Sequence, residues 1–447
     1  MRIFRWLSPG INIKRWLFTF GAGMIVACLG LTFLFNYRWI GSMEEVIFRI
    51  LYEWTGHYNY TILASMGVVF MGIGAVLMGI ATRKLIKTII AALMPNASEE
   101  LSDLILSNMK LSKGPAVAVV GGGTGLSVML RGLKKKTGNI AAVVTVADDG
   151  GSSGRIREDL DMIAPGDLRN CLVALAEKEG LMEILFNHRF GGNGGLTGHS
   201  FGNLFIAALT EVLGGDVEKA LEASSKILKV RGRVIPASTE KIRLVAEMDD
   251  GTIVEGESNI PSIHGHIRKI RTLPEHPKAV QAALDAIAEA DAVIIGPGSL
   301  YTSIMPNLLV PEIAQAIQTS DAAKIYICNV MTQPGETDTY TVSDHLKAIM
   351  AHMKCQNCID FVIANTGAVP EEMRRRYEKE GAYPVNVDTA EIERMGVTLI
   401  SGDLISQGDN AVHDPDKLSK ILMDLVYALN KDVSPGVLQY YLKRYNS

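Results

Sequence analysis

The apolar run at residues 143–147 stops abruptly at two carboxylates, Asp148 and Asp149, and at a loop of small residues that ends at Arg155. Small residues after a buried strand let a ligand approach the backbone at the strand's carboxyl end. A similar unit precedes it, where the apolar run 116–120 leads into a glycine-rich loop, Gly121-Gly122-Gly123-Thr124-Gly125. Two such units in succession predict one nucleotide-type pocket at the edge of a parallel sheet.

The chain from residue 116 onward alternates short apolar runs with helical patterns. Strands are predicted at 116–120, 141–146, 292–295, 324–330, 361–364 and 398–400. Helices are predicted at 126–136, 167–179, 203–212, 217–225, 277–290, 310–319, 343–354, 370–380 and 415–429. Continuous apolar strands separated by helices predict an α/β fold, a Rossmann-like parallel sheet with helices on both faces. Residues 231–262 differ and predict a small β excursion around a turn at 249–251.

Two uncharged runs near the N-terminus, residues 16–35 and 59–82, are each long enough to cross a hydrocarbon core of roughly 30 Å. Aromatic residues cluster at their ends: Trp16, Tyr37, Trp39, Trp54, Tyr58 and Tyr60. Cations flank the pair on the outer sides: Arg2, Arg5, Lys14, Arg15, Arg83, Lys84 and Lys87. The positive-inside rule then predicts a two-span protein of the cell inner membrane with both termini and the main domain in the cytoplasm. A signal peptide fits less well, because a second apolar run follows.

The predicted domains are a membrane hairpin at 1–95, a linker helix at 96–115 and a binding domain at 116–447. A net charge of −4 provides no basic excess for nucleic acid. The five cysteines agree with a reducing compartment. Cys355 and Cys358 have metal-ligand spacing but no second pair, so an ordinary loop with two free thiols is predicted.

The first glycine loop suits a phosphate at a helix N-terminus, although it has neither G-x-G-x-x-G spacing nor a Walker Lys-Ser/Thr pair. Asp148 and Asp149 end the next strand, where they could hold ribose hydroxyls or Mg²⁺, or form only a turn. Arg155 could bind an anionic group or form a surface ion pair.

Two later segments carry further candidates. Asp167 is expected to cap the helix that it precedes, with Arg169 and Asn170 in the first turn. The glycine-rich loop 191–202 brings His199, Ser200 and Asn203 to a helix start, which suits a lid or a phosphate-binding nest. Without an elbow signature, no catalytic nucleophile is assigned.

Three more predicted strands end in small or hydrogen-bonding residues: Gly296, Gly298, Ser299 and Tyr301 after one, Asn329 and Thr332 after the next, and Asn365 after the last. Together with the first two, these ends would line a crevice for a polar, extended ligand.

These motifs resemble the 2-phospho-L-lactate transferase superfamily and, more closely, its bacterial branch, the gluconeogenesis factors. The resemblance covers about residues 116–412. It is carried by Ala147-Asp148-Asp149-Gly150-Gly151-Ser152-Ser153-Gly154-Arg155, by Pro165-Gly166-Asp167-Leu168-Arg169-Asn170, and by Leu196-Thr197-Gly198-His199-Ser200-Phe201-Gly202-Asn203. Segments 231–238, 295–303 and 328–333 fit the branch too.

The resemblance implies a protein that binds a nucleotide sugar such as UDP-N-acetylglucosamine and acts in cell shape and wall synthesis. Soluble members of the branch begin near the first strand, so the predicted membrane hairpin is an addition to it. The implied partners are wall-synthesis or kinase-regulated proteins. Ser152, Ser153 and Tyr377 join the implied ligand contacts. No redox cofactor is expected, Mg²⁺ is a candidate with Asp148 and Asp149 as ligands, and a homodimer is compatible.

The alternative is an enzyme that transfers a phospho-organic acid from a nucleotide diphosphate to a deazaflavin, with Mg²⁺ at the leaving phosphate. The transferase branch lacks the long insertion after the Asp pair, which favours the sugar-nucleotide interpretation. An NAD-dependent oxidoreductase is a weaker third interpretation, since the glycine spacing fails.

Overall fold

A computed structural model of the chain describes residues 13–35, 41–56, 60–93, 111–177 and 180–429. The chain divides into two compact units, Met1–Ile105 and Leu106–Ser447. The assignment of a role to each predicted domain stays a prediction, and residues 94–110, most of the predicted linker helix, lie outside the described part.

The first unit contains three helices, α1 (Ile13–Phe35), α2 (Gly41–Thr55) and α3 (Tyr60–Leu93). Helices α1 and α3 pack backbone to backbone through glycine. A Cβ added at Gly30 would lie 2.6 Å from the carbonyl oxygen of Gly67, and one at Gly74 would lie 2.7 Å from the amide nitrogen of Ala27. Larger residues at these positions would force the two helices apart.

Among the described residues, one stretch is long and apolar enough to cross a membrane, the 23 residues Ala64–Ile86 within α3. The apolar part of α1, Phe18–Leu31, is shorter. The structure therefore supports one candidate span where the sequence predicts two. Helix α2 lies between the two apolar runs, in a region where no helix is predicted.

The second unit is built on a seven-stranded parallel sheet in the order β10-β9-β8-β7-β1-β2-β3. The strands are β1 (Val117–Gly121), β2 (Ile140–Val144), β3 (Arg233–Pro236), β7 (Ala292–Ile295), β8 (Ala323–Ile327), β9 (Phe361–Asn365) and β10 (Thr398–Gly402). The central strands are buried along their whole length, as expected for a sheet that is covered on both faces. The α/β prediction is confirmed.

Helices connect and flank these strands. They are α4 (Gly123–Leu133), α5 (Gly151–Asp159), α6 (Gly166–Leu175), α7 (Gly180–Asn187), α8 (Phe201–Val212), α9 (Val217–Leu228), α10 (Gln281–Ala288), α11 (Met305–Leu308), α12 (Pro311–Thr319), α13 (Val342–Met353), α14 (Glu371–Lys379), α15 (Thr389–Arg394) and α16 (Pro415–Leu429). A 3₁₀ turn lies at Pro261–Ile263, and a π-helical turn at Leu300–Ile304 leads into α11.

A small antiparallel sheet in the order β5-β4-β6 lies between β3 and β7 in the chain. Its strands are β4 (Arg243–Met248), β5 (Ile253–Glu255) and β6 (Ile267–Leu273). The predicted excursion at 231–262 has different limits. Strand β3 joins the main sheet beside β2, because Val234 and Ile235 are buried there, and β6 extends beyond the predicted end.

The prediction of two free thiols in one loop is wrong, because Cys355 and Cys358 form a disulfide. Their Cα atoms lie 5.9 Å apart, within the usual range for such a bond. Cys171 and Cys328 are buried thiols.

Candidate functional site

The main sheet reverses its strand order between β1 and β7, and the loops after these two strands touch. A Cβ at Gly125 would lie 3.0 Å from the carbonyl oxygen of Pro297, and one at Gly298 would lie 3.1 Å from that of Gly122. In open α/β sheets, ligands bind at the carboxyl edge where the strand order reverses. The two predicted glycine loops therefore form the floor of one candidate site.

The first glycine loop leads directly into α4, and Thr124 lies in the first turn of that helix. The buried carboxylate of Asp167 contacts this loop. Asp167 accepts a hydrogen bond from the Gly123 amide. Burial, followed by the charge of Asp148, raises the pKa of Asp167 to about 6. The prediction that Asp167 caps α6 is wrong: Pro165 occupies that position, and the carboxylate turns toward Gly123 instead.

Asp148 and Asp149 point to different partners. Both oxygens of Asp149 are engaged, accepting the amides of Glu257 and Ser258 at 2.9 Å each. Asp148 Oδ1 accepts the Gly150 amide at 2.9 Å, while Oδ2 lies against Gly166 in the crevice. The pair thus divides into a structural carboxylate and one that faces the site.

Within the described residues, no group of three or more His, Cys, Asp or Glu side chains is arranged to hold a metal ion. Mg²⁺ is commonly held by one or two carboxylates together with substrate phosphates and water. Asp148 fits that chemistry, whereas Asp149 is occupied by the two amides. The metal role stays a prediction.

Glu257 is a site residue that sequence reasoning missed. Burial, with the charges of Asp148 and Asp167, raises its pKa well above the usual value. Its Oε2 is buried and has no hydrogen-bond partner in the described part of the chain. No local pattern marks it, because it reaches the crevice only through the bonds from its own segment to Asp149, 108 residues earlier.

A buried polar network joins α5 to the start of α8. Ser152 Oγ lies 3.2 Å from His199 Nδ1 and accepts both the Ser200 amide and Asn203 Nδ2. Asn203 Nδ2 also reaches Ser153 Oγ at 3.4 Å. Ser200 caps α8 as its side chain accepts the Asn203 amide. Asn203 Oδ1 is left buried without a partner among the described residues.

Two arginines bind the glycine-rich loop 191–200. Arg155 is a predicted site residue, whereas Arg189 is not. Arg155 Nη2 donates to the Thr197 carbonyl at 2.8 Å, and Arg189 Nη1 donates to the Gly198 carbonyl at 3.0 Å. Arg169 is buried and donates to Asn170 Oδ1 at 2.6 Å. Burial, with the charge of Arg189 second, lowers the pKa of Arg169. Arg169 is the arginine of this group whose charge acts on Asp167, and the charges of Asp167 and Asp148 act on it in turn.

The segment after β8 clamps the second glycine loop. Asn329 uses both ends of its amide: Oδ1 accepts the Gly298 amide at 3.2 Å, and Nδ2 donates to the Gly298 carbonyl at 2.8 Å. Gln333 Nε2 donates to Ser299 Oγ at 2.5 Å. Asn329 and Ser299, both predicted as ligand contacts, are thus tied to each other's segments.

Glu336 completes this clamp and was also missed by sequence reasoning. Its carboxylate accepts the Tyr301 amide at 3.3 Å and Thr302 Oγ1 at 3.0 Å. Burial raises the pKa of Glu336 to about 7. The Tyr301 hydroxyl lies 2.9 Å from that of Tyr340. The only sequence signal is the stretch of polar and turn-forming residues at 332–337.

Thr332 and Tyr377 make structural bonds. Thr332 pairs with Tyr383 through two hydrogen bonds, of 2.7 Å and 3.0 Å. The Tyr377 hydroxyl accepts the Ala411 amide at 3.2 Å, and its ring packs on a small apolar cluster separate from the main core. Sugar contact by either residue stays a prediction.

The family model described as 2-phospho-L-lactate transferase CofD matches residues 117–405. The gluconeogenesis factor of Bacillus subtilis is 49% identical over 317 residues, which cover 71% of this chain and 99% of the relative. This chain belongs to the gluconeogenesis-factor family of the CofD superfamily. A Nostoc sp. (strain PCC 7120) protein, provisionally given the same name, is 45% identical over 423 residues, covering 94% of this chain and 92% of that protein.

A crystal structure of a Bacillus halodurans protein shares the fold of the second unit. It is 50% identical, has a TM-score of 0.67, and covers 70% of this chain and all of its own. Family members therefore include proteins of about the length of the second unit and proteins that match nearly the whole chain.

Proposed function

We propose that this gluconeogenesis-factor homologue binds a nucleotide sugar, such as UDP-N-acetylglucosamine, at the carboxyl edge of its parallel sheet. The observation that carries the proposal is the contact between the loops after β1 and β7, at the reversal of strand order. Glycine backbone beside a helix N-terminus suits a diphosphate. The loops 121–125 and 296–298 would cradle it.

The walls of the crevice suit the rest of such a ligand. Asp148 would accept ribose hydroxyls or share a Mg²⁺ ion with the diphosphate. Asn203 Oδ1 and Glu257 Oε2 are buried oxygens without a partner in the described residues, so two different hydroxyls of the ligand would satisfy them. Arg169 would balance the diphosphate charge.

We further propose that α1 and α3 together form a two-span membrane anchor, with the second unit in the cytoplasm and a role in cell shape and wall synthesis. Apolar side chains cover the outside of the pair: Phe18, Ile25, Val68 and Val76 are each more than half exposed. An exposed apolar surface of this extent suits lipid. Held at the membrane, the protein would meet wall-synthesis enzymes and their kinase-regulated partners.

The binding test uses the full chain in detergent micelles and follows the thermal midpoint of the second unit with added UDP-N-acetylglucosamine. A ligand present at 100 times its Kd stabilises the folded state by about 2.7 kcal/mol. We expect stabilisation of the native chain and its loss in Asp148→Ala. Asp285→Ala is the matched control, since Asp285 is exposed on α10 and bonds only Gln281 of its own helix among the described residues. No stabilisation of the native chain would refute the proposal.

A phospholactate-transferase activity is the second candidate, favoured by the description of the family model. The same preparation is incubated with Mg²⁺, a deazaflavin and a guanylylated phospholactate, whose phosphate–phosphate bond would break on transfer. Transfer of the phospholactyl group with release of the nucleotide would replace the sugar-nucleotide proposal. Absence of turnover together with UDP-sugar binding would reject the enzyme.

A further inference from the structure

Helix α2 carries three of its charged residues on one face and an apolar stripe beside that face. Glu45, Arg49 and Glu53 follow one another at four-residue spacing along one face. Val46, Ile50 and Trp54 repeat at the same spacing on a stripe beside it, and they are 56%, 52% and 87% exposed. A helix with a charged face and an uncovered apolar stripe is typical of segments that lie on a membrane surface.

The chain holds α2 close to the ends of α1 and α3. Five residues, 36–40, separate it from α1, and four residues, 56–59, separate it from α3. Extended chain covers at most about 3.6 Å per residue, so neither end of α2 can lie more than roughly 20 Å from its neighbouring helix. The helix itself is about 22 Å long. Both of its ends are thus held near one surface of the bilayer.

We propose that α2 lies flat in the interface of a lipid bilayer, with Val46, Ile50 and Trp54 at the boundary between headgroups and acyl chains. Glu45, Arg49 and Glu53 then face the water. The inference rests on the proposed anchor of α1 and α3. Trp54 suits this depth because an indole ring is amphipathic. The helix would set the depth and tilt of the anchor in the bilayer.

The test places single fluorescent labels on a cysteine-free full chain, through Ile50→Cys, Arg49→Cys or Ile73→Cys, in phosphatidylcholine–phosphatidylglycerol vesicles. A label at position 50 should emit at shorter wavelength than a label at position 49. Lipids with a nitroxide near the top of the acyl chain should quench most of its emission. Position 49 is the matched control and should instead be quenched by aqueous iodide. Equal iodide quenching at 49 and 50, or strongest quenching of 50 by mid-chain nitroxides, would overturn the proposal.

Position 73 separates this proposal from the anchor. Ile73 is exposed in the middle of the candidate span, so mid-chain nitroxides should quench it most. If position 73 is not quenched by lipid, the anchor fails; if only position 50 is not, the interfacial helix fails. Trp54 offers a second readout without introduced cysteines. In a chain whose other tryptophans, Trp6, Trp16 and Trp39, are replaced by Phe, lipids brominated near the headgroup should quench the emission of Trp54 more than lipids brominated in mid-chain.

Discussion

Most carboxylates in this site accept hydrogen bonds from backbone amides. Asp167 accepts the amide of Gly123, Asp149 accepts those of Glu257 and Ser258, and Glu336 accepts that of Tyr301. Each bond ties a ligand-facing loop to a neighbouring segment, so the acids determine the shape of the crevice. Asp148, with one oxygen at Gly150 and one at Gly166, is the exception that stays directed at the site.

Asp167 should make the folded state less stable at higher pH. Its pKa is 3.8 when unfolded and about 6 when folded, so the folded chain binds more protons between these values. The free energy of unfolding therefore falls as pH rises through this window, by at most about 3 kcal/mol. Asp167→Asn should flatten that dependence in denaturation followed by circular dichroism.

For Glu336 the corresponding pH window ends higher, because burial raises the pKa of this carboxyl to about 7. Glu336→Gln is thus the comparison variant for Asp167→Asn and should flatten stability between about pH 4.5 and 7. An unchanged pH dependence in Asp167→Asn would contradict the buried position of that carboxyl.

Asn329→Asp should weaken nucleotide-sugar binding about tenfold, because the new carboxylate cannot donate to the Gly298 carbonyl and repels it. The measurement is the ligand-dependent thermal midpoint over a concentration series. Asn357→Asp makes the same change at an exposed position in the loop before β9, at the opposite edge of the sheet, and should leave Kd unchanged. If both variants bind the nucleotide sugar with equal affinity, Asn329 does not position the second glycine loop for binding.

The residue types at the strand ends could be predicted from sequence, but their roles could not. Asn329 and Asp149 are polar residues after apolar runs, which is all that the pattern contains. Their partners lie 31 and more than 100 residues away, and only the folded sheet brings them together. Glu257 and Glu336 were missed for the same reason.

At the scale of elements, the small sheet is attached to the crevice through Asp149. The amides of Glu257 and Ser258 follow β5 directly, so these two bonds hold the end of β5 at the edge of the main sheet. Buried β-branched runs made the central strands predictable. Strand β3 has four residues, and its pairing with β2 depends on the path of the whole chain.

Asp149→Asn should loosen this attachment, because a neutral amide oxygen accepts more weakly than a carboxylate. Each charge-assisted bond contributes about 1.5–3 kcal/mol, so the amides of Glu257 and Ser258 should exchange hydrogen roughly tenfold faster or more. Asp148→Asn is the matched control, and should leave both amides as protected as in the native chain. Faster exchange in both variants would indicate general destabilisation instead.

Gly74→Leu should open the pair formed by α1 and α3, whereas Gly72→Leu should not. A Cβ at Gly74 meets the backbone of α1, while one at Gly72 meets nothing within 4 Å. Overpacking costs about 1–3 kcal/mol, so proteolysis of the pair in micelles should be about tenfold faster for Gly74→Leu. Equal rates would contradict the glycine contact.

At the scale of the molecule, all candidate ligand contacts lie within the second unit. A variant that begins at residue 106 should therefore bind UDP-N-acetylglucosamine with a Kd within about twofold of the full chain. The solved relative, which covers only 70% of this chain, indicates that such a unit folds by itself. A large loss of affinity without the first unit would place part of the site outside the sheet.

The pairing of β1 with β7 has a consequence for biosynthesis. The amide of Ala116 and the carboxylate of Asp291 that bind at the start of these strands are 175 residues apart. At about 5–20 residues per second, a ribosome needs roughly ten seconds or more between them. The first glycine loop therefore leaves the ribosome well before the loop after β7 that it contacts. The N-terminal helices leave earlier still. The pocket is therefore completed only after about two thirds of the chain has been synthesised.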